Sequence, residues 1–122
     1  MIHIRRVYDK PDPSDGLRIL VDRLWPRGLS KEAAKVDVWV KNLSPSHELR
    51  KWYSHDPDKW EEFKKRYFAE MDGNPAEVKS LMEQIHGNRV TFLYSSTEKQ
   101  LNNAQALKLY LEMQADAASH FG

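Results

Sequence analysis

Two short aliphatic runs limit what this chain can fold into: Leu17-Arg18-Ile19-Leu20-Val21-Asp22 and, far downstream, Val90-Thr91-Phe92-Leu93-Tyr94. Short apolar runs bounded by turn residues and rich in β-branched and aromatic side chains read as strands. The nearly continuous aliphatics of the first run place it centrally in a sheet. Elsewhere the period changes to that of a helix. Trp60, Phe63, Tyr67 and Met71 share one stripe, Val78, Leu81, Met82 and Ile85 a second, and Ala104, Leu107, Leu111 and Ala115 a third. Strands alternating with amphipathic helices predict an α/β fold with a small, mainly parallel sheet of three or four strands packed with helices. The 122 residues suit a single domain over 1–122. The two runs are expected to be neighbouring or near-neighbouring parallel strands.

Local signals set the expected boundaries. Residues 2–7 form a short β-prone segment that ends in a loop interrupted by Pro11, Pro13 and Gly16, and residues 36–40 alternate as a further strand. Ser30 and Ser46 are placed to cap short helices, and the second of these carries Leu49, Trp52 and Tyr53 on one face. Asp56 before Pro57 opens a helix over 57–71. Asn74 with Glu77 and Thr97 with Gln100 have the spacing of capping boxes, which predicts helices over 75–86 and 98–118.

Composition removes several function classes. Nineteen Lys and Arg face 18 Asp and Glu. The charges are interleaved, as in Glu61-Glu62-Phe63-Lys64-Lys65-Arg66. That balance argues against a protein that holds nucleic acid through phosphates; such binding would need a basic face built from Arg5, Arg6, Arg18 and Arg89. The absence of cysteine removes disulfides, thiolate catalysis and iron–sulfur clusters and fits a reducing compartment. No segment approaches the ~20 apolar residues of a membrane span. The expected location is the cytoplasm, with no membrane partner. His3, His47, His55, His86 and His120 show no metal-ligand spacing, so no metal is expected. The phosphate-loop and dinucleotide glycine motifs are missing too, and no cofactor is assigned.

Chemistry in a parallel sheet gathers beyond the carboxyl ends of the strands. That rule selects Asp22-Arg23-Leu24-Trp25-Pro26-Arg27-Gly28 after the first run and Ser95-Ser96-Thr97 after the last strand. Arg23 and Arg27 offer guanidinium groups that grip carboxylate or phosphate, and Gly28 allows close backbone approach. Ser95 and Ser96 supply hydroxyls near a helix start, where free N–H groups favour an anion. They lie outside a Gly-x-Ser-x-Gly elbow, so no catalytic nucleophile is assigned. His47 and His55 bracket a short helix and are candidates for a pocket rim.

The wording of the chain also carries a resemblance. Arg6-Val7-Tyr8-Asp9, Leu20-Val21-Asp22-Arg23-Leu24-Trp25-Pro26-Arg27-Gly28-Leu29-Ser30-Lys31 and Leu43-Ser44-Pro45-Ser46 resemble the YeaO-like branch of the domain of unknown function 488 family. So do Leu49-Arg50-Lys51-Trp52, His55-Asp56-Pro57-Asp58-Lys59-Trp60, Phe63 and Arg66-Tyr67, nearly end to end and in order. The resemblance implies a small α/β fold in a bacterial-type cytosolic protein and no established activity. Where the family's pattern often has His-Asn-His or His-Asn-Asn, this chain has Leu101-Asn102-Asn103-Ala104. Only the asparagines carry over. The cysteines of more distant relatives have no counterpart, so a thiol mechanism does not transfer.

The resulting expectation is a domain that binds a small polar or anionic, phosphate-bearing molecule at the carboxyl edge of the sheet, with catalysis there left open. Asp22 orients the site, Arg23 and Arg27 hold the anion with Trp25 and Gly28 beside them, and Ser95, Ser96 and Asn102 donate hydrogen bonds. The alternative is a non-catalytic protein-interaction module that uses Trp25, Trp39 and Trp52, its partner unknown.

Overall fold

The computed structural model describes the backbone of residues 2–121 and the side chains of residues 2–117; the His120 side chain lies outside this description. Four parallel strands, β1 (Ile2–Arg6), β2 (Leu17–Leu20), β3 (Val38–Trp39) and β4 (Val90–Tyr94), form one sheet in the order β1-β4-β2-β3. The two aliphatic runs are the two inner strands. Leu17 pairs with Val90 and Leu20 with Leu93, and the ladder continues past β2 through Val21 N–H to Leu93 O (3.0 Å). Inner strands bury both faces, which explains why β4 is apolar or hydrogen-bonded at every position. Outside the sheet lie α1 (Lys31–Ala34), α2 (His47–Tyr53), α3 (Trp60–Asp72), α4 (Pro75–Ile85) and α5 (Asn103–Phe121).

The two faces of the sheet are covered differently. Ile19, Val21, Val90, Phe92 and Tyr94 face a large core made with Leu49 and Tyr53 of α2, Phe63, Tyr67 and Met71 of α3, Val78 and Leu81 of α4 and Ala104, Leu107, Tyr110 and Leu111 of α5. Leu20 and Leu93 point the opposite way, into a small core with Val7 and Ala34, against which Trp25, Leu29 and Val36 pack. Beside that core a buried ion cluster replaces helix packing. The Asp15 carboxylate accepts from Arg5 Nη1 (2.7 Å), from Arg18 Nη1 and from Asp12 N–H (3.1 Å). Arg18 donates further to the carbonyls of Ala34 and Lys35, and Thr91 Oγ1 donates to Asp15 O (2.8 Å). Asp15 and Arg18 are 4% and 5% exposed, so desolvation is tolerable only because these groups satisfy one another.

Several boundaries differ from the sequence expectation, each for a local reason. Ser30 and Ser46 do cap α1 and α2, accepting from Ala33 and Leu49 N–H. Asp56 caps a 3-10 turn, Pro57–Lys59, that leads into α3. Asn74 makes no side-chain cap and instead donates Nδ2 to Asn42 O, while Pro75 opens α4. The Thr97 box does not form. The Glu98 carboxylate turns back onto the N–H groups of Gln100 and Leu101, and the helix starts only after Asn102, whose Oδ1 accepts from Gln105 N–H (2.9 Å). The strand expected over 36–40 shrinks to two residues, flanked by Asp37, whose N–H donates to Arg18 O (2.8 Å) and whose carboxylate accepts from Arg18 N–H (2.9 Å), and by Val40, which donates to Leu20 O (3.0 Å) and opens a 3-10 turn. Ala115, expected inward, is exposed.

Candidate functional site

Because β2 and β4 are adjacent and parallel, their carboxyl ends deliver Asp22 and Ser95 to the same place. Asp22 Oδ2 accepts from both the N–H (2.8 Å) and the Oγ–H (2.6 Å) of Ser95. Asp22 Oδ1 accepts from Asn103 Nδ2 (3.0 Å), which also donates to Val21 O (2.9 Å). Arg6, at the end of β1, donates Nε to Ser96 O and Nη2 to Ser95 O, both at 2.8 Å. Three strand ends and the start of α5 are thereby locked into one hydrogen-bonded wall.

A cavity of about 490 Å³ opens against that wall, a volume in the range of small-molecule sites. Asp22, Arg23, Ser95, Ser96, Asn102 and Asn103 line it from the sheet edge and the start of α5. His47, Arg50, Lys51 and Tyr53 line it from α2, with Pro45 before that helix, His55 after it and Phe63 from α3. The Tyr53 and Phe63 rings stack at 4.2 Å and close the apolar end. Tyr53 donates to Leu101 O (2.7 Å), which ties α2 to the segment leading into α5. Burial pushes its phenol up to about 12, reinforced by Glu98 and Asp56, so it is a donor at neutral pH. Glu98 sits lower than an ordinary carboxyl because Leu101 and Gln100 N–H groups hold its anion. After α2 the chain takes two consecutive left-handed residues, Ser54 (φ +48) and His55 (φ +57), which bring the imidazole to the rim. Such residues cost energy outside glycine and persist only where surrounding contacts hold them.

The charges are unevenly committed. Arg23 donates Nε to Pro45 O (3.3 Å) and Nη2 to Ser44 O (3.2 Å), and its Nη1 meets no acceptor among the described residues. Among the described residues, neither it nor Arg50 nor Lys51 pairs with a carboxylate; the ion pairs are Arg5–Asp15, Arg18–Asp15, Lys64–Glu61 and Arg66–Glu62. Arg50 and Lys51 are exposed, and among the described residues no buried side-chain polar atom lacks a partner, so the free ends of these cations face solvent. Asp22 is the one carboxylate lining the cavity, and three protein donors already hold it.

Of the residues selected from sequence, Asp22, Arg23, Ser95, Ser96 and Asn102 gather around this cavity, while Trp25, Arg27 and Gly28 do not line it. After Arg23 the chain turns away across the small core. Trp25 packs there and donates Nε1 to Leu29 O (2.6 Å). Arg27 is exposed, with its carbonyl accepting from Tyr8 Oη (2.9 Å), and Gly28 (φ +75) occupies an open turn. Asn102 lines the cavity, but its amide is spent on capping α5 and on Glu98 O (2.9 Å). His47 and His55 are at the rim as the sequence suggested. Arg50, Lys51 and Asn103 were missed. The available signal was the Ser46 cap, which fixes the phase of α2 and sets Arg50 one turn before the inward Tyr53.

The other surfaces offer less. Arg5 and Arg18 are bound to Asp15, Arg6 to two carbonyls, and Arg89 lines a separate cavity beside Asp12 and Asp15, so these four make no open basic face. Trp52 lies under Arg66, 4.1 Å from ring centre to guanidinium. Trp39 is half-exposed and donates Nε1 to Asp22 O (2.7 Å). Among the described residues no group of three potential ligands could hold a metal ion, and no helix is long and apolar enough to cross a membrane.

Comparison with known proteins gives a family without a described activity. Residues 1–120 match the family model described as the inactive DUF488-N3 subclade. The uncharacterized protein YeaO of Escherichia coli is 40% identical over 110 residues, covering 90% of this chain and 96% of that protein. The uncharacterized protein Rv3073c of Mycobacterium tuberculosis is 45% identical over 75 residues, 62% of this chain, and its counterpart Mb3100c of Mycobacterium bovis matches to the same extent. That stretch spans 64% of the length of the mycobacterial proteins. No solved structure matches. The Val-Asp-Arg-Leu-Trp-Pro-Arg-Gly block, which supplies Asp22 and Arg23 to the cavity, thus sits inside a match that runs almost from end to end, and the chain belongs to the DUF488 family, in its inactive DUF488-N3 subclade.

Proposed function

We infer that the protein binds a small phosphate-bearing anion in the cavity beyond the carboxyl ends of β2 and β4, without turning it over. One observation carries the reading: Arg23, Arg50 and Lys51 border a single cavity with no carboxylate partner among the described residues, while the carboxylate that lines it, Asp22, already accepts three protein hydrogen bonds. Three cations without carboxylate partners converging on a partly apolar pocket attract and hold an anion more strongly than they would on an open surface. The family's description as inactive accords with binding rather than catalysis, as does the site chemistry. Ser95 Oγ–H donates to Asp22 in a bond that fixes a loop, and among the described residues no histidine is hydrogen-bonded to Ser95 as a general base. A cysteine-free protein with such a ligand belongs in the cytoplasm, where phosphorylated metabolites occur.

A second reading rests on Leu24, 66% exposed, and Trp39, 37% exposed, which lie next to Asp22 and suit a protein-interaction module. Thermal unfolding in the presence of phosphate monoesters separates the two. A ligand at a hundredfold excess over its Kd stabilises the folded state by about 2.7 kcal/mol, a shift of several degrees at this chain length. Arg50→Ala should remove about 1.5–3 kcal/mol of that binding, the usual value of a hydrogen bond to a charged group. Arg27→Ala, outside the cavity, should leave it unchanged. If no phosphate monoester moves the midpoint, the anion site is wrong and the interaction module takes its place.

A further inference from the structure

The two long walls of the cavity differ in chemistry. The α2 wall holds Arg50 and Lys51, side chains that only donate and have no carboxylate partner among the described residues, with His47 and His55 beside them. The other wall, at the sheet edge, carries Arg23, whose guanidinium is largely held by the Pro45 and Ser44 carbonyls, and beside it a group of acceptors. Asp22 uses three of the roughly four lone-pair sites a carboxylate offers, accepting from Ser95 twice and from Asn103 once. Asn103 is oriented by its two donor bonds, from Nδ2 to Val21 O and to Asp22 Oδ1, and its Oδ1 has no protein donor among the described residues. Since no buried side-chain polar atom is left unsatisfied, that oxygen is open to solvent. Ser95 Oγ, its hydrogen directed at Asp22, accepts from no protein donor among the described residues and presents its lone pairs.

An anion resting on this second wall would meet the Asp22 carboxylate and be repelled. A group that donates several hydrogen bonds from neighbouring atoms would satisfy Asp22, Asn103 Oδ1 and Ser95 Oγ together. A single ammonium offers its protons from one point, whereas vicinal hydroxyls offer them from separate atoms, as these dispersed acceptors require. Resting on the anion-site reading, we propose that the ligand is a polyhydroxyl phosphate monoester, its phosphate held by Arg50 and Lys51 and its hydroxyls by Asp22, Asn103 and Ser95. Free sugar phosphates and the ribose phosphate of nucleotides share this chemistry.

Calorimetric titration of the full chain with methyl phosphate, ribose 5-phosphate and AMP tests it. Ribose 5-phosphate, AMP or both should bind at least tenfold more tightly than methyl phosphate, which has the anion and no hydroxyl. Tighter binding of AMP than of ribose 5-phosphate assigns the source to nucleotides, and the reverse to free sugar phosphates. Arg50→Gln should weaken methyl phosphate and the sugar ligands by the same factor. Asn103→Ser should weaken only the hydroxyl-bearing ligands, and Asp22→Asn, which keeps an acceptor for Ser95, serves the same purpose should Asn103→Ser unfold. Equal affinity for all three ligands would overturn the hydroxyl wall while leaving the anion site standing. Absence of binding by all three would remove both. Loss of methyl phosphate binding in Asn103→Ser, with its fold intact, would also overturn the division of the walls.

Discussion

Asp22→Ala tests whether the wall of the cavity is held by this one carboxylate. The substitution strips the acceptor from Ser95 N–H, Ser95 Oγ–H and one Asn103 N–H. Fully buried, each lost charge-assisted bond would count for about 1.5–3 kcal/mol, but here the cavity lets water reach the orphaned donors. The net figure falls to about 1 kcal/mol for each donor, the ordinary value of a hydrogen bond exchanged with water, or about 3 kcal/mol in all. Asn103 retains Val21 O as an acceptor, which caps the loss. Urea unfolding followed by far-ultraviolet circular dichroism should show a lower midpoint with an unchanged slope, since the surface exposed on unfolding is the same. Asp22→Asn, which keeps an oxygen for Ser95, should recover part of the loss. Arg27→Ala removes an exposed side chain and should stay within about 0.5 kcal/mol of the native protein. If Asp22→Ala unfolds at the native midpoint, the network of Ser95, Asn103 and Arg6 stands without the carboxylate and its assigned role is wrong.

The remaining predictions concern the opposite end of the sheet and the start of α5. Burial raises the Asp15 carboxyl, but hydrogen bonds from Arg5, Asp12 N–H and Arg18 outweigh it and leave the pKa lowered. The stabilisation it gives is therefore complete above the unfolded-state value of about 3.9 and disappears as pH falls through the lower folded value; the urea midpoint should drop below about pH 4, and Asp15→Asn should flatten that dependence while lowering stability at neutral pH. Gly16→Ala should destabilise strongly, because at φ +66 its Cβ would lie 2.2 Å from Arg89 O, whereas Gly28→Ala meets no atom and should cost only the left-handed strain of about 1–2 kcal/mol, both read from thermal midpoints. Asn102→Ala removes the cap of α5 and should cost about 1 kcal/mol, while Thr97→Ala should be neutral by the same measurement; the reverse order would restore the earlier helix start.

The sheet was legible because its inner strands are recorded in composition. A strand buried on both faces cannot afford exposed polar groups, and the residues from Leu17 to Val21 and from Val90 to Tyr94 obey that limit, with Arg18 and Thr91 as exceptions that the Asp15 cluster satisfies. Capping was legible only where the competing bonds are local. Ser30 and Ser46 keep their hydroxyl oxygens as acceptors for the first turn, and Ser46 does so even while donating Oγ–H to Glu70 Oε2 (2.6 Å). Asn74 and Thr97 fit the same pattern but lost it to contacts invisible in sequence, the first to Asn42 O from a distant turn, the second to the Glu98 carboxylate, which closes its own turn just downstream.

The same distinction divides the site. Parallel pairing of β2 with β4 forces Asp22 beside Ser95 whatever the loops do, so the rule of strand ends located both. It could not follow the chain past Arg23. From there Trp25 is drawn by its apolar area toward Leu20 and Leu93 on the second face, carrying Arg27 and Gly28 out of reach of the cavity. The cations that took Arg27's place come from α2, an element whose position is set by burial of Leu49 and Tyr53 against α3 rather than by any strand. One half of the cavity is thus fixed by the topology of the sheet and the other by packing of a seven-residue helix. On the proposed anion-site reading, Arg50 and Lys51 can change at little cost to the fold, whereas Asp22 and Asn103 can be altered only by disturbing the joint between β2, β4 and α5.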